Sequence, residues 1–189
     1  MVVDHIRNYR RMLRQYVPRT SYIRMDNPRI LNLGCGACEE GRELSDYFGC
    51  SDILGIDMGE DEIKMARQIN QRLPARFVRG NYADLHKLVE GPFDVVVARH
   101  PAVTYMEHKA ELTGALMHAG RILSVCGIFI GTTYDADGAA NLSEVLRICR
   151  FQPLPVERNI FSQKRREFGL ECFWDVNVDG FVVLATPQD

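Results

Sequence analysis

The sequence has no apolar run long enough to cross a membrane. Its longest uninterrupted apolar stretches, at residues 95–98 and 181–185, are far shorter than the roughly 20 residues that span a bilayer. The first residues carry Asp4 and several arginines instead of the apolar segment of a secretory signal. The six cysteines are scattered and do not suggest a disulfide framework. These absences favour a soluble protein with reduced thiols, no membrane contact and a cytoplasmic location.

The sequence also lacks an excess of charge of either sign. The 189 residues include 23 Lys and Arg against 25 Asp and Glu, for a net charge of −2. This balance excludes a protein that coats nucleic acid by bulk charge, so a nucleic-acid contact would need a local patch. Residues 1–29 are the basic exception, with seven Arg and two Asp. Four of these arginines share the polar face of a predicted helix, either as a phosphate-binding patch or, as we favour, as a solvated face: Arg7, Arg10, Arg11 and Arg14.

Repeats, low-complexity tracts and long Pro, Gly or Ser linkers are absent as well. What is present is an alternation of short apolar runs with segments of helical periodicity. This alternation predicts a doubly wound α/β sheet, and residues 95–98 are typical of a central strand buried on both faces. Strands are expected at 29–33, 53–57, 76–78, 93–98, 181–186 and within 122–132, and helices at 6–16, 39–48, 61–73 and 138–150. A turn signal at 177–180 predicts that residues 170–176 and 181–186 pair as an antiparallel hairpin.

The strongest chemical signal is a glycine-containing loop after the first predicted strand. Gly34 and Gly36 lie where this strand turns into a helix, and Asp57 ends the next strand. Glycines let a ligand approach the backbone, and a carboxylate at the mouth of the sheet can accept both hydroxyls of a ribose. The pattern therefore predicts a nucleoside-containing ligand. A dinucleotide is disfavoured, because Glu39 replaces the third glycine of a Gly-x-Gly-x-x-Gly motif and would repel a pyrophosphate.

These motifs resemble those of class I S-adenosylmethionine-dependent methyltransferases over residues 29–131. The resemblance implies a Rossmann-like, mostly parallel seven-stranded sheet with an antiparallel C-terminal strand and helices on both faces. It implies S-adenosyl-L-methionine as methyl donor and S-adenosyl-L-homocysteine as product. We expect a single methyltransferase domain over 1–189, with an N-terminal helical lid at 1–28, a cofactor-binding half at 29–131 and a substrate-side half at 132–189.

The resemblance also assigns residues to the cofactor. The turn at residues 34–36 would lie beside its methionine part, Asp57 would accept the ribose, and Met58 would lie beside the adenine. The stretch 77–85 resembles the third motif of the family, in which Asn81 and Tyr82 border the adenine. The residues expected to contact the cofactor are Asn32, Gly34, Cys35, Gly36, Asp57, Met58, Asn81, Tyr82 and Arg99.

Three positions depart from the family pattern. Asn32 stands where an acid is common near the methionine ammonium, so one charge-assisted contact is lost. Cys38 replaces a frequent third glycine, and Asn81 replaces a frequent Asp, although its amide can both accept from and donate to an adenine. These departures leave a catalytically silent, cofactor-binding scaffold subunit as an alternative. Cys35 and Cys38 also form a Cys-x-x-Cys, but no second pair lies at ligand spacing, so we predict no metal site.

The acceptor side offers two candidate catalytic residues. His100 follows the fourth predicted strand, and a histidine can take a proton from a hydroxyl or amine at neutral pH. A hydrogen-bonded surface histidine is the alternative. Tyr105, like Tyr82, could face the sulfonium with its ring.

Acceptor choice is expected to depend on loops and termini at residues 1–28, 99–120 and 151–170. No Asn-Pro-Pro-Tyr follows the fourth strand, which removes a signature of enzymes that methylate amino groups of nucleic acids. We predict a small-molecule acceptor. An RNA or protein acceptor, and a nucleic-acid contact through the basic N-terminal segment, are less favoured.

Overall fold

The protein was analysed as a computed structural model, which describes residues 2–19, 26–103, 106–161, 163–168 and 173–188. The helices are α1 (Val2–Tyr16), α2 (Gly41–Phe48), α3 (Glu60–Ile69), α4 (Leu85–Leu88), α5 (Met106–Ile122) and α6 (Ala136–Ile148). The strands are β1 (Arg29–Leu33), β2 (Asp52–Asp57), β3 (Ala75–Arg79), β4 (Phe93–Arg99), β5 (Leu123–Thr133), β6 (Phe151–Pro153), β7 (Glu157–Arg158), β8 (Gln163–Phe168), β9 (Phe173–Val178) and β10 (Phe181–Pro187).

Seven strands form one continuous sheet in the order β3-β2-β1-β4-β5-β10-β6, and β7 pairs with β10. The first five strands in this order run parallel, whereas β10 is antiparallel to β5. The predicted mostly parallel α/β sheet with an antiparallel C-terminal strand is therefore confirmed. Within the described residues, no helix is both long and apolar enough to span a membrane.

Strand β4 lies at the centre of the sheet, between β1 and β5. Its residues from Val95 to Ala98 are all buried, with side chains alternating between the two main apolar clusters. A strand covered on both faces needs an uninterrupted apolar run, and the sequence shows this run at these residues. Because the parallel strands share one direction, their carboxyl ends lie at the same edge of the sheet. The candidate active site lies along this edge.

Helix α1 is packed onto the sheet by its apolar face. Tyr9, Met12, Leu13 and Tyr16 are buried in a cluster with residues of β1, β4 and β5, and the helix ends before Pro18. Burial of each such side chain stabilises the fold by roughly 1.5–3 kcal/mol. The helix is thus part of the core, and its role as a lid stays a prediction.

Two sequence-based expectations about the second half of the chain are wrong. Residues 99–120 were expected to be a substrate loop, but α5 occupies most of this range, and its Gly114 and Gly120 weaken the helical signal. The predicted hairpin of residues 170–176 with 181–186 does not form, because β9 pairs with β8. Strand β10 has no edge left for β9, since β5 occupies one edge and β6 and β7 occupy the other.

Helix α5 carries a histidine that makes the stability of the fold sensitive to acid. The Nε2 atom of His118 is buried and has no hydrogen-bond partner among the described residues. Burial lowers the pKa of His118 below its ordinary value of 6.5; a hydrogen bond with the backbone of Val89 offsets part of this decrease, and the nearby His86 and Arg121 add to it. The unfolded chain therefore binds a proton more readily than the folded chain as the pH falls below about 6.5.

We expect the free energy of unfolding to decrease as the pH falls from about 6.5 through the lower pKa of folded His118. Urea denaturation across this pH range measures the effect. His118→Phe should flatten the pH dependence, whereas the matched change His86→Gln, at an exposed position, should leave most of it in place. An equally steep dependence in His118→Phe would contradict the assignment.

Candidate active site

The glycine loop, residues 34–40, connects β1 to α2 at the carboxyl edge of the sheet. Gly34 and Gly36 have φ angles of 63° and 51°, in the left-handed region that glycine adopts without strain. A Cβ atom at Gly36 would meet no atom within 4 Å, so the backbone here faces open space. Cys38 also has a positive φ, of 50°, but its side chain is buried beneath the loop. The thiol at this position therefore points away from the open side of the backbone.

Asp57 lies at the end of β2, beside this loop. Its Oδ2 accepts a hydrogen bond from the backbone nitrogen of Gly36 at 2.8 Å, and its Oδ1 accepts one from Gly59, also at 2.8 Å. These bonds fix the orientation of the carboxylate, and each oxygen keeps a lone pair for a further donor. The next residue, Met58, is 48% exposed. The arrangement offers an oriented anion next to an exposed apolar side chain.

Tyr82 and Asn81 lie after β3, close to the glycine loop. A ring atom of Tyr82 would lie 3.9 Å from a Cβ at Gly34, so the ring lines the open side of the loop. Burial raises the pKa of Tyr82, with smaller contributions from Glu111 and Asp57. The oxygen of Asn81 accepts from the backbone nitrogen of Ala83 at 2.8 Å, and its amide nitrogen lies 3.4 Å from Glu111 Oε1. An adenine contact by Asn81 would compete with these bonds.

The two cysteines of the loop are buried thiols. Burial raises the pKa of Cys35 and of Cys38, and the carboxylate of Glu40 raises both further. Such thiols stay protonated and are poor nucleophiles and poor metal ligands. Among the described residues, no group of His, Cys, Asp or Glu side chains is placed to hold a metal ion.

Sequence reasoning missed a buried acid under the loop. Asn32 is completely buried, and its Nδ2 donates to Glu40 Oε1 at 2.7 Å. Glu40 is only 3% exposed, at the residue before α2. A buried carboxylate therefore lies next to the amide of Asn32, although residue 32 itself carries no charge. Glu40 gave no signal in the sequence, because an acid beside a helix start is usually solvated.

Arg99, at the end of β4, connects this acid to the C-terminal part of the chain. Its Nε and one terminal nitrogen donate to the two carboxylate oxygens of Asp179 at 2.9 and 2.7 Å, and its other terminal nitrogen lies 3.4 Å from Glu40 Oε2. Its guanidinium also lies over the ring of Tyr9 from α1, 5.2 Å from the ring centre. The donors of Arg99 are thus directed to protein groups, and a cofactor contact by this residue stays a prediction.

His100 belongs to the same buried group of side chains. Its Nε2 lies 2.7 Å from Asp179 Oδ1, and its ring packs edge-on against Tyr134 with ring centres 3.9 Å apart. The side chain is 12% exposed, so His100 is not the surface histidine of the alternative interpretation. Asp179 precedes β10, and the sequence indicated only a turn there. Tyr105, the other predicted catalytic residue, lies outside the described residues.

The structure brings together Gly34, Gly36, Asp57 and Tyr82 at the carboxyl ends of β1 and β2 and after β3. His100 lies along the same edge, at the end of β4. In a sheet of this type, ligands bind at this edge. The binding roles assigned to these residues stay predictions.

Comparisons with known proteins identify a matching family and similar folds. The family model described as "Methyltransferase domain" matches residues 30–127, more than half of the chain. No curated protein matches the chain. A S-adenosylmethionine-dependent methyltransferase from Clostridium acetobutylicum superposes with a TM-score of 0.71 at 12% identity, covering 97% of this chain and 92% of its own.

Two further solved structures have a similar fold. The CcbJ methyltransferase from Streptomyces caelestis gives a TM-score of 0.67 at 13% identity, with 98% of this chain and 90% of that chain covered. Precorrin 8w decarboxylase from Methanobacterium thermoautotrophicum gives 0.62 at 18% identity, with 85% and 82% covered. At these identities the structures support the fold alone. The family model shows that this chain belongs to the methyltransferase domain family, and the similar structures show that it has the class I methyltransferase fold.

Proposed function

We propose that the protein binds S-adenosylmethionine at the carboxyl edge of its sheet and transfers the methyl group to a small-molecule acceptor. The observation that carries this proposal is the Asp57 carboxylate, held by two backbone N–H groups beside the open face of Gly36. An oriented carboxylate with free lone pairs fits a ribose diol, and the open backbone leaves room for the rest of the cofactor.

The residues of the chain then have distinct tasks. Gly34 and Gly36 would let the cofactor approach the backbone, Asp57 would hold its ribose, and Tyr82 would cover one side of it. When bound, the cofactor supplies a methyl group already activated by a sulfonium. Alignment of the acceptor for in-line displacement therefore accounts for most of the rate, because proximity alone can lower the barrier by roughly 7–11 kcal/mol. His100 would take a proton from an acceptor that carries one.

The proposal is tested with cofactor labelled on its methyl group. The purified protein is incubated in parallel with a protein-free metabolite extract, a total RNA extract and a protein lysate, and each reaction is separated by size. We expect label in the low-mass fraction of the metabolite reaction, and much less label with the Asp57→Ala variant. Label in RNA or protein would overturn the small-molecule acceptor. Cofactor binding without transfer to any fraction would favour the silent scaffold instead.

One observation favours nucleic acid as a second candidate acceptor or partner. Arg7, Arg11 and Arg14 are exposed on the face of α1 opposite its buried side chains, whereas Arg10 is paired with Glu43 and Asp46 of α2. An outer face with three arginines suits phosphate groups. Fluorescence anisotropy with a labelled RNA hairpin tests this candidate. Salt-sensitive binding that weakens when all three arginines become Gln would support it, and equal binding by the variant would exclude it.

A further inference from the structure

We propose that Asp179 is a positioning residue that holds His100 with Nδ1 as its proton-accepting nitrogen, and that the acceptor therefore carries a removable proton on the atom that is methylated. The inference rests on the proposed function, because it concerns the same methyl transfer. Nothing in the resemblance to methyltransferases or in the sequence motifs assigned a role to Asp179.

The distances around His100 determine where the proton of the neutral ring lies. Its Nε2 is 2.7 Å from Asp179 Oδ1 and 3.1 Å from the backbone nitrogen of Asp179. Two lone pairs would repel each other at 2.7 Å, so a proton lies between the ring nitrogen and the carboxylate. Nε2 is then the donor, and it cannot also accept from the backbone N–H. In the neutral ring, this leaves Nδ1 as the nitrogen with a free lone pair.

Asp179 is itself held in place from three directions. Arg99 binds both of its carboxylate oxygens, and Thr132 donates to Oδ1 at 2.6 Å. The backbone carbonyl of Asp179 accepts from Asn159 Nδ2 at 2.8 Å. The residue adopts a φ of 51° although Gly180 follows it. A non-glycine residue in this region costs of order 1 kcal/mol, and the surrounding bonds offset this cost.

The charges around Asp179 keep its carboxyl ionised. Burial alone would raise the pKa of Asp179, but the Arg99 guanidinium and the hydrogen bond from His100 outweigh burial and hold it well below its usual range. An ionised carboxylate stabilises the imidazolium that forms when His100 takes a proton. His100 and Asp179 therefore correspond to a base and the anion that orients it, as the histidine and aspartate do in the catalytic triad of hydrolases.

This geometry selects the chemical class of the acceptor. The bond between hydrogen and the acceptor atom breaks, and its proton goes to Nδ1 of His100. An electron pair of that acceptor atom forms the new bond to the methyl carbon, and the pair of the broken carbon–sulfur bond stays with sulfur. A thioether or a tertiary amine has no proton to give and needs no base. The acceptor is therefore a compound that carries hydrogen on the methylated atom, as a hydroxyl compound, an amine with an N–H or a thiol does.

The direct test is the tautomer of His100, measured by ¹⁵N nuclear magnetic resonance of the imidazole nitrogens of the whole protein over a pH series that reaches the spectrum of the neutral ring. The chain has five histidines, and His100→Gln assigns the signal by removing it. We expect hydrogen on Nε2 in the unmodified protein. Hydrogen on Nδ1 would overturn the proposal, and this readout needs no variant of Asp179.

Asp179→Asn provides the second arm, with Asp94→Asn as matched control because Asp94 lies at the amino end of β4 and binds Arg29 and Ser124. Asp179→Asn should change the His100 signals, whereas Asp94→Asn should not. Unchanged signals in Asp179→Asn would overturn the positioning role.

Calorimetry with S-adenosylhomocysteine separates the failure of this proposal from the failure of the proposed function. If the unmodified protein does not bind S-adenosylhomocysteine, the proposed function is wrong, and the result on the His100 tautomer is unaffected. In the labelling experiment, label on an atom that carried hydrogen supports the acceptor class, and label on a thioether or tertiary amine overturns it.

Discussion

Replacing Arg99 with Met should lower the free energy of unfolding by about 3–5 kcal/mol, the usual cost of removing one partner of a buried ion pair. Arg99 is the cation shared by Asp179 and Glu40, and the side chains of both acids are only 4% exposed. Without the guanidinium, two carboxylates would stay buried with reduced compensation. Met places no cation over the ring of Tyr9, so the loss includes this contact as well as the two ion pairs.

Urea denaturation at neutral pH measures this change, and Arg79→Met is its matched control. Arg79 pairs with Glu60, but both side chains are more than half exposed. A surface pair of this kind contributes at most about 1 kcal/mol. Similar losses in the two variants would contradict the view that the Arg99 group is a buried structural network.

Asp57→Ala should weaken binding of S-adenosylhomocysteine by about 100-fold. The variant loses the two proposed hydrogen bonds from the ribose hydroxyls to the carboxylate, each worth about 1.5–3 kcal/mol because the acceptor is charged, and water offsets part of this loss. The same change removes the acceptor for the backbone nitrogens of Gly36 and Gly59, so the glycine loop loses its anchor on β2. Isothermal titration calorimetry measures the affinity.

Asp52→Ala is the matched control, since Asp52 begins the strand that Asp57 ends. Asp52 pairs with Arg29 and Arg76 at the opposite edge of the sheet. The Asp52→Ala change should lower the free energy of unfolding. It should leave the affinity for S-adenosylhomocysteine within about twofold of the unmodified protein, which corresponds to less than about 0.5 kcal/mol. A loss of affinity as large as that of Asp57→Ala would mean that the ligand does not bind beside Asp57.

The central features of the fold could be predicted because they depend on local patterns. The apolar run of β4 indicates a strand buried on both faces, and the glycines after β1 with Asp57 after β2 mark the edge where parallel strands end. These signals lie within a few residues of one another, so no knowledge of distant contacts is needed. The pairing of β9 depends on which edges of β10 are free, which no local pattern contains.

The buried group around Arg99 could not be predicted for the same reason. Its members come from the start of α2, the ends of β4 and β5 and the turn before β10, up to 139 residues apart between Glu40 and Asp179. The sequence around each of these residues gives no sign that its side chain is buried or that it contacts the others. Only the fold shows that Glu40 contacts Asn32, and that Asp179 faces His100.

The central claim is that this edge of the sheet binds the methyl donor. Isothermal titration calorimetry of the unmodified protein with S-adenosylmethionine, S-adenosylhomocysteine and a nicotinamide dinucleotide tests it most directly. We expect one site for each of the first two ligands and no binding of the third, because Glu39 repels a pyrophosphate. Absence of binding by both S-adenosyl compounds would contradict the account.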